Sequence, residues 1–512
     1  DLHSFPTRRS SDLWSYDADG RLTAEGGRLG VNRSWKRDAD GRVTHVLDSA
    51  NRTLAELKYA GESVSITDRA GNVSKIVYKS GQVERIVTPQ GETGFAYVRD
   101  RLASVAYPSG LVVSYACDDY GYLRLEKDNA GLHRVFDYNY DFTRKLFYTS
   151  IREGSRTDEY WYNSQGEMVR HNVNGKTEKA VHIEGMVHTV TGAAGEKTVK
   201  EYDNAWNLLR VIHPDNSEEK SEYNAFGQPV RRVDPAGTVT AYAYDASGNL
   251  LKMTEAQGTN LERNSTFTYD GRGNQLTATR GRAVTRMEYD EWDNPVRQVD
   301  AAGVETRFTY DALGRELTRT RAGAVWKREY GTDGRVANST DPLGAVTRFF
   351  YDAGGNPVKT VDPTGNATEA GYDPAGRMMN ATDALGEVTR FTYDSQGRPA
   401  SRTDAAGQRM EYAYTPRGDL ARTQDPAGAV SMTYDAPGKG CSSCGGSAAG
   451  RPVRVDYPTF SRLFAYDGLG RTVRETDVFG PKNETRGASY VYDKAGRRSE
   501  EHTSELQSLG AI

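Results

Sequence analysis

Hydrophobic and polar residues alternate along this chain in short runs of about six, and clusters of Asp, Gly and Pro separate the runs. Two neighbouring stretches show the pattern. One reads Val346-Thr347-Arg348-Phe349-Phe350-Tyr351-Asp352, then AGGN, then Pro357 to Asp362, then Pro363-Thr364-Gly365; the other begins at Val388 with VTRFTYD and continues SQGR, PASRTD, AAG. Alternation over that length predicts strands, and the Asp-containing, Gly-ending clusters predict hairpin turns. No long stripe of period 3.6 is present, so the chain reads as nearly all β.

The pattern recurs. Key tyrosines stand at Tyr202, Tyr223, Tyr244, Tyr269, Tyr289, Tyr310, Tyr330, Tyr351, Tyr372, Tyr393, Tyr414 and Tyr434, a step of about 21 residues. Two six-residue strands and two four-residue turns come to roughly 20 residues, so the repeat unit is a β-hairpin with its connection. Earlier copies drift: Trp14-Ser15-Tyr16-Asp17-Ala18-Asp19-Gly20-Arg21, then Trp35 to Arg42, then Tyr59, Tyr78, Tyr97 and Tyr115 with weaker turns.

Turn chemistry explains the recurring letters. In Asp341-Pro342-Leu343-Gly344, Asp362-Pro363-Thr364-Gly365 and Asp425-Pro426-Ala427-Gly428, Asp accepts from amides ahead of it, Pro presets the second position, and Gly supplies the positive φ. Asp and Gly have the same work in the other turn, represented by Tyr310-Asp311 with Gly314-Arg315, Tyr351-Asp352, and Tyr393-Asp394 with Gly397-Arg398. Phe308 and Phe391 precede Tyr310 and Tyr393 by two positions and share their sheet face. Stacking repeats therefore predicts aromatic ladders, worth about 0.5–1.5 kcal/mol per pair beyond area burial.

Composition and length refine the architecture. A hydrophobic share of 37%, a mean hydropathy of −0.72 and 53 glycines in 512 residues suit a thin sheet, while 10% aromatics is too rich for disorder. Twelve repeats supply about 24 strands, or on the order of 115 Å of sheet at ~4.8 Å per strand. Twisted sheets of that width curl or close, so the expected form is a spiral wall around an interior.

Tyr-Asp-x-x-Gly-Arg followed by Asp-Pro-x-Gly at this step resembles the Rhs/YD-repeat proteins, over about residues 14 to 497. That family includes bacterial polymorphic toxins, the shell-forming component of insecticidal toxin complexes, and animal teneurins. The resemblance implies an all-β array wound into a cocoon-like spiral β-shell that encloses a C-terminal toxin domain, with an immunity protein as a further partner and a secreted or cell-surface location. The segmentation follows the repeats: adapter-like residues 1–13, degenerate repeats 14–198, regular repeats 199–435, a Gly/Cys-rich insertion 436–455, further repeats 456–497, and adapter-like residues 498–512. HSFPTRRSSDL at 3–13 and RSEEHTSELQS at 498–508 read as in-frame translations of short-read sequencing adapters, so the sequence is expected to be an internal gene fragment. The family's closing segment and variable toxin would then follow residue 497.

Candidate chemistry is sparse. None of the 8 histidines lies between 214 and 501, and no His-Glu-x-x-His, phosphate-binding loop or Gly-x-Ser-x-Gly elbow occurs. No enzyme and no cofactor are predicted. His182 and Glu184, with His188 nearby, read as strand residues before a metal pair; Asp17-Ala18-Asp19-Gly20 and Asp38-Ala39-Asp40-Gly41 open like calcium loops but lack the distal Glu. Cys441 and Cys444, in a Cys-x-x-Cys, interrupt the period; a local disulfide, an inert reduced pair, and a redox or metal role all remain open, with Cys117 as the distant third cysteine. A net charge of −4 is spread through every repeat, giving no nucleic-acid stripe, and no apolar run approaches a membrane span. Two functions follow: a container for a toxin, or an extracellular adhesin whose Tyr and Arg faces touch surface glycans.

Overall fold

The computed structural model describes residues 13–27, 30–193, 195–434, 450–467, 469–480, 483–492 and 497–508. These carry 46 strands and, among the described residues, no helix. Two compact units share the chain: Asp1–Val112, Glu222–Arg231 and Val239–Arg377 form the first, and Val113–Ser221, Arg232–Thr238 and Met378–Ile512 form the second. Within each unit, strands pair antiparallel with their neighbours in sequence. Glu305–Tyr310 pairs with Glu316–Arg321, which pairs with Ala324–Tyr330; in the second unit Leu146–Glu153 pairs with Arg156–Tyr162. The chain is the all-β hairpin array that its alternation predicts.

Tyr-Asp hairpins of the regular repeats share one irregularity. Thr309 faces Thr318 but Tyr310 faces Glu316, so the returning strand has one extra residue. The bulge recurs at Tyr202, Tyr269, Tyr289, Tyr330, Tyr351, Tyr393, Tyr414 and Tyr434. Gly314, at φ 79°, supplies the left-handed residue that closes the turn ahead of it. Bulges increase local right-handed twist, and here they recur at the Tyr-Asp hairpins of the regular repeats and not at the alternate ones.

The core is the thickness of the sheet itself. Leu47, Val64 and Val105 are buried in the first unit, and Val113, Val173, Val455 and Tyr466 in the second, yet no described side chain falls below 2% exposure. Stability must therefore come largely from strand pairing and from the turns.

The segment set apart at 498–512 forms, over Arg498–Ser508, a strand antiparallel to Glu484–Tyr492. Edge pairing needs backbone groups alone, so a sequence without the repeat can still extend a sheet. Residues 1–12 and 435–449, including Cys441 and Cys444, lie outside the described residues. The remainder of the proposed insertion rejoins the sheet, because Pro452–Asp456 pairs with Gly428–Tyr434.

Candidate functional site in the repeat turns

Asp311 organises its turn through both carboxylate oxygens. Oδ1 accepts from the amides of Leu313 (2.8 Å) and Arg315 (3.0 Å), and Oδ2 accepts from Arg315 Nε at 2.6 Å. The backbone closes around it, with Asp311 N–H donating to Arg315 O and Gly314 N–H to Asp311 O, both at 3.0 Å. Burial opposes the charge on Asp311, but the Arg315 amide and guanidinium outweigh it and hold the carboxyl below its ordinary range. Asp394 repeats the arrangement with Gln396, Arg398 and Gly397. At Asp352 the carboxamide of Asn356 replaces the guanidinium, donating to Oδ2 at 3.0 Å. Arg and Asn thus alternate at one position because both reach that oxygen.

The same residue then reaches the next repeat. Arg315 lies over the Tyr330 ring at 4.4 Å and Arg398 over Tyr414 at 4.3 Å; Arg335 lies over Tyr351 at 5.7 Å. Phe308 and Tyr310 do stack on one face, 6.5 Å apart, as the spacing predicts. Between repeats, however, a guanidinium meets the ring, so the expected aromatic ladder is interleaved with cations, each contact worth about 0.5–1 kcal/mol at exposed sites. Space at the turn glycine is used as well. A Cβ on Gly334 would meet Arg315 Nη1 at 3.2 Å, one on Gly376 would meet Asn356 Oδ1 at 3.2 Å, and Gly355 lies directly beneath the Arg335 guanidinium.

The tyrosine hydroxyl completes the link and was not anticipated. Tyr310 donates to Pro295 O and Tyr393 to Met378 O, both at 2.8 Å, each reaching 15 residues back to the start of an earlier strand. Tyr244, Tyr269, Tyr289, Tyr330, Tyr414 and Tyr434 make equivalent bonds. A signal did exist: the key position is always Tyr, whereas the position two before it varies among Phe, Tyr, Met, Ala, Arg, Lys and Ser.

In the other turn, Asp362 Oδ1 accepts from the amides of Thr364 and Asn366 at 2.8 Å and from the Thr364 hydroxyl at 2.7 Å, while Asn366 Nδ2 donates to Oδ2. Hydrogen bonds from the Thr364 and Asn366 side chains lower the Asp362 carboxyl to about 2. Pro363 is exposed, and Gly365 takes φ 93° with open space around it.

The two kinds of turn occupy opposite edges of the sheet, and within each unit they meet. In the first unit, Arg52 and Arg69 lie over Trp292 at 3.8 and 4.5 Å, Gln90 donates to Asp333 O (2.8 Å), and Ser109 donates to Pro374 O (2.9 Å). In the second, Gln396 donates to Glu153 O (2.9 Å), Arg156 to Arg417 O (2.6 Å) and Asn174 to Pro416 O (3.2 Å), and Arg417 pairs with Glu178 (2.8 Å). The hydrogen bonds among these contacts span 242 to 265 residues of sequence. Each is a seam where the D-x-x-G edge of early repeats is tied to the Tyr-Asp edge of late ones.

A polar cavity of about 880 Å³ lies on the second seam. Asp158 accepts from both Arg156 Nε (2.6 Å) and Nη2 (2.9 Å) and lies 2.8 Å from His171 Nε2, whose ring stacks on Tyr160 at 4.5 Å. Burial raises the Asp158 carboxyl, but Arg156 and His171 prevail and lower it overall. The cavity lining includes Tyr160 and Lys179 but, among the described residues, no Ser, Thr or Cys. Sequence reading passed over this cluster because its members come from drifted repeats without a motif.

Other candidates separate. His182 pairs with Thr189 and Ile183 with His188, which puts His182 and His188 on opposite faces. His188 instead packs on Tyr202 and Trp206. Asp38 is committed to its turn, accepting from the amides of Asp40 and Arg42 and from Arg42 Nε, and Asp17 likewise accepts from Asp19 and Arg21.

A sequence model of the RHS repeat matches residues 223–259, 289–325, 330–367 and 372–409. Over 108 residues the chain is 35% identical to the double-stranded DNA deaminase toxin A of Burkholderia cenocepacia (strain H111), covering 21% of this chain and 7% of that one. Among solved structures, TcdB2-TccC3 aligns over 97% of this chain and 35% of its own at 11% identity and TM-score 0.37, and TcdB2-TccC3-Cdc42 over 97% and 37% at 11% and 0.40. The chain spans little more than a third of those proteins and under a tenth of the curated relative. Each matched stretch contains two key tyrosines, in register with the hydrogen-bonded turns described above; the chain carries RHS repeats over those stretches.

Proposed function

We propose that this chain is part of the β-shell of an RHS-type polymorphic toxin, a wall that encloses a C-terminal toxin domain until delivery. The observation that carries the reading is the seam found in each unit. A hairpin ribbon has two raw edges; tying one edge to the other across 242 to 265 residues makes a lateral wall. Many of its carboxylates and guanidinium groups are engaged in turns, seams and ion pairs between strands, which suits a structural wall. Similarity to a protein named a toxin supports the toxin partner. The immunity protein and a secreted or cell-surface location belong to the same reading.

The test uses the gene as found in its source genome, expressed with its natural flanks. The downstream domain should resist added protease while the shell is intact and be digested when half the repeats are deleted. Equal digestion in both forms would refute enclosure and turn attention to the adhesin. The described chain alone should show no hydrolase, nuclease or transferase activity.

A further inference from the structure

The sequence holds a single Asn-Gly pair, Asn174-Gly175, and it stands at the seam of the second unit. The pair is exposed and forms the two-residue turn between Val173 and Lys176, which face each other across the hairpin. Asn174 at φ 49° and Gly175 at φ 77° are both left-handed, as a type I′ turn requires, and Asn-Gly is the pair such turns favour. Turn geometry accounts for the two residue types but not for the partners of the Asn174 side chain. Its Oδ1 accepts from the Thr157 amide at 2.8 Å, and its Nδ2 donates to Pro416 O at 3.2 Å, 242 residues away. The Asn174 amide donates to Thr157 O, also at 2.8 Å. One residue thus holds its hairpin both to the strand Arg156–Tyr162 and to the turn of a late repeat, all within the second unit.

An asparagine followed by glycine carries a reaction of its own. The glycine amide nitrogen, once hydroxide has taken its proton, attacks the asparagine Cγ, because no Cβ on the glycine blocks the approach. The new N–Cγ bond closes a five-membered imide, the Cγ–Nδ2 bond breaks, and Nδ2 leaves as ammonia. Water then opens the ring at Cγ to give aspartate, or at the backbone carbonyl to give isoaspartate, and no oxidant or reductant enters. Thr157 and Pro416 both lie outside the turn, so the carboxamide must leave them to reach the Gly175 nitrogen. We propose that Asn174 is a modification site gated by this seam: the closed seam holds the carboxamide away from Gly175, and an opened seam lets the pair convert. The product cannot restore the tie. The donor to Pro416 O is gone, and a carboxylate oxygen in its place meets a carbonyl oxygen, acceptor against acceptor. Isoaspartate also adds a methylene to the backbone of a two-residue turn, which disturbs the pairing of Val173 with Lys176. Opening of the seam is thereby recorded in covalent structure and made irreversible at this point.

Peptide mapping by mass spectrometry on the full chain, kept at mildly alkaline pH, follows the one-dalton gain at Asn174. Conversion in native buffer should be about thirtyfold slower than in urea, since two neutral hydrogen bonds must be released first. Gln396→Ala/Arg417→Ala removes the seam contacts to Glu153 and Glu178 from the far side and leaves the Asn174 turn in place. In that variant conversion should be about fivefold faster than in wild type. Asn338, followed by Ser339 in the first unit, serves as internal reference and should convert at an unchanged rate. Should Asn338 accelerate as well, Arg417→Ala alone takes the place of the double variant under the same criterion. Equal rates in native buffer and urea, or in the seam variant and wild type, overturn the gate, and no conversion in urea overturns the site. Asn174→Asp, one of the two products, should exchange amide hydrogens in 414–420 about fivefold faster than wild type; unchanged exchange there overturns the irreversibility.

Discussion

Replacing Tyr310 by Phe removes one hydrogen bond and leaves the ring. The lost bond is the 2.8 Å contact from the hydroxyl to Pro295 O, which ties the strand Glu305–Tyr310 to the start of Pro295–Val299. A neutral hydrogen bond contributes about 0.5–1.5 kcal/mol net, and an abandoned buried carbonyl costs about 1–3 kcal/mol. Pro295 O is only partly buried, so water can replace the hydroxyl and the lower range applies. At about 1 kcal/mol the opening equilibrium shifts roughly fivefold. A repeat array couples mainly to nearest neighbours, so the effect should stay local. Hydrogen exchange read by mass spectrometry should show peptides from 289–321 exchanging roughly fivefold faster, with peptides from 388–403 unchanged. Unaltered exchange in 289–321 would mean that the hydroxyl is incidental to the repeat.

Other expectations follow from the same turns. Gly314→Ala should destabilise its hairpin by at least about 1 kcal/mol more than Gly344→Ala: both replace a left-handed glycine, but only at Gly314 would the Cβ lie 2.8 Å from Asn294 Oδ1. Urea denaturation of the two variants decides this, and equal midpoints would refute it. Arg156→Ala should cost about 2–3 kcal/mol by leaving Asp158 with fewer partners and Arg417 O without its donor, seen as faster exchange in both 153–160 and 414–420; a change confined to one stretch would argue against the seam. Asp362 and Glu218 both sit at about 2, lowered for Glu218 chiefly by its hydrogen bond from Arg210. Depressed carboxylates contribute stability that is complete above the unfolded value near 4 and disappears as pH falls through about 2. The β signal should therefore hold constant from pH 8 to about 4.5 and decline below about 4, and Thr364→Ala with Asn366→Ala should move the local loss at residues 362–366 upward in pH.

The strands, turns and period were legible because their causes are local. Alternation fixes a face within a run such as VTRFTY, and an Asp three residues before a Gly fixes a turn whatever lies beyond it. The cation between rings was partly legible, since Arg or Asn stands five after the key tyrosine in most repeats, with Gln228 and Asp419 among the exceptions. The seams were not. Arg52 and Trp292 become neighbours only through twist accumulated over many bulged hairpins, and no local pattern encodes their separation. The cluster of Asp158, His171 and Arg156 lies in drifted repeats without a motif, and the Arg417 carbonyl that Arg156 meets lies far along the chain. The pairing of 498–508 lies beyond pattern reading too, because an edge accepts backbone without regard to side chains.

The contacts between successive repeats have a direction. Arg315 reaches forward to Tyr330 and Gly334, whereas Tyr330 reaches back to the Glu316 carbonyl, so each hairpin closes over the one before it. Pulling the chain from its C-terminal side would peel off the most recently laid hairpin while leaving its predecessor's own turn intact. Unravelling then proceeds as a staircase of small, similar steps in place of one large barrier. A pulling motor or a threading pore would meet resistance that recurs with the period of the sequence, about 21 residues per step. The rhythm of the letters would become a rhythm of force.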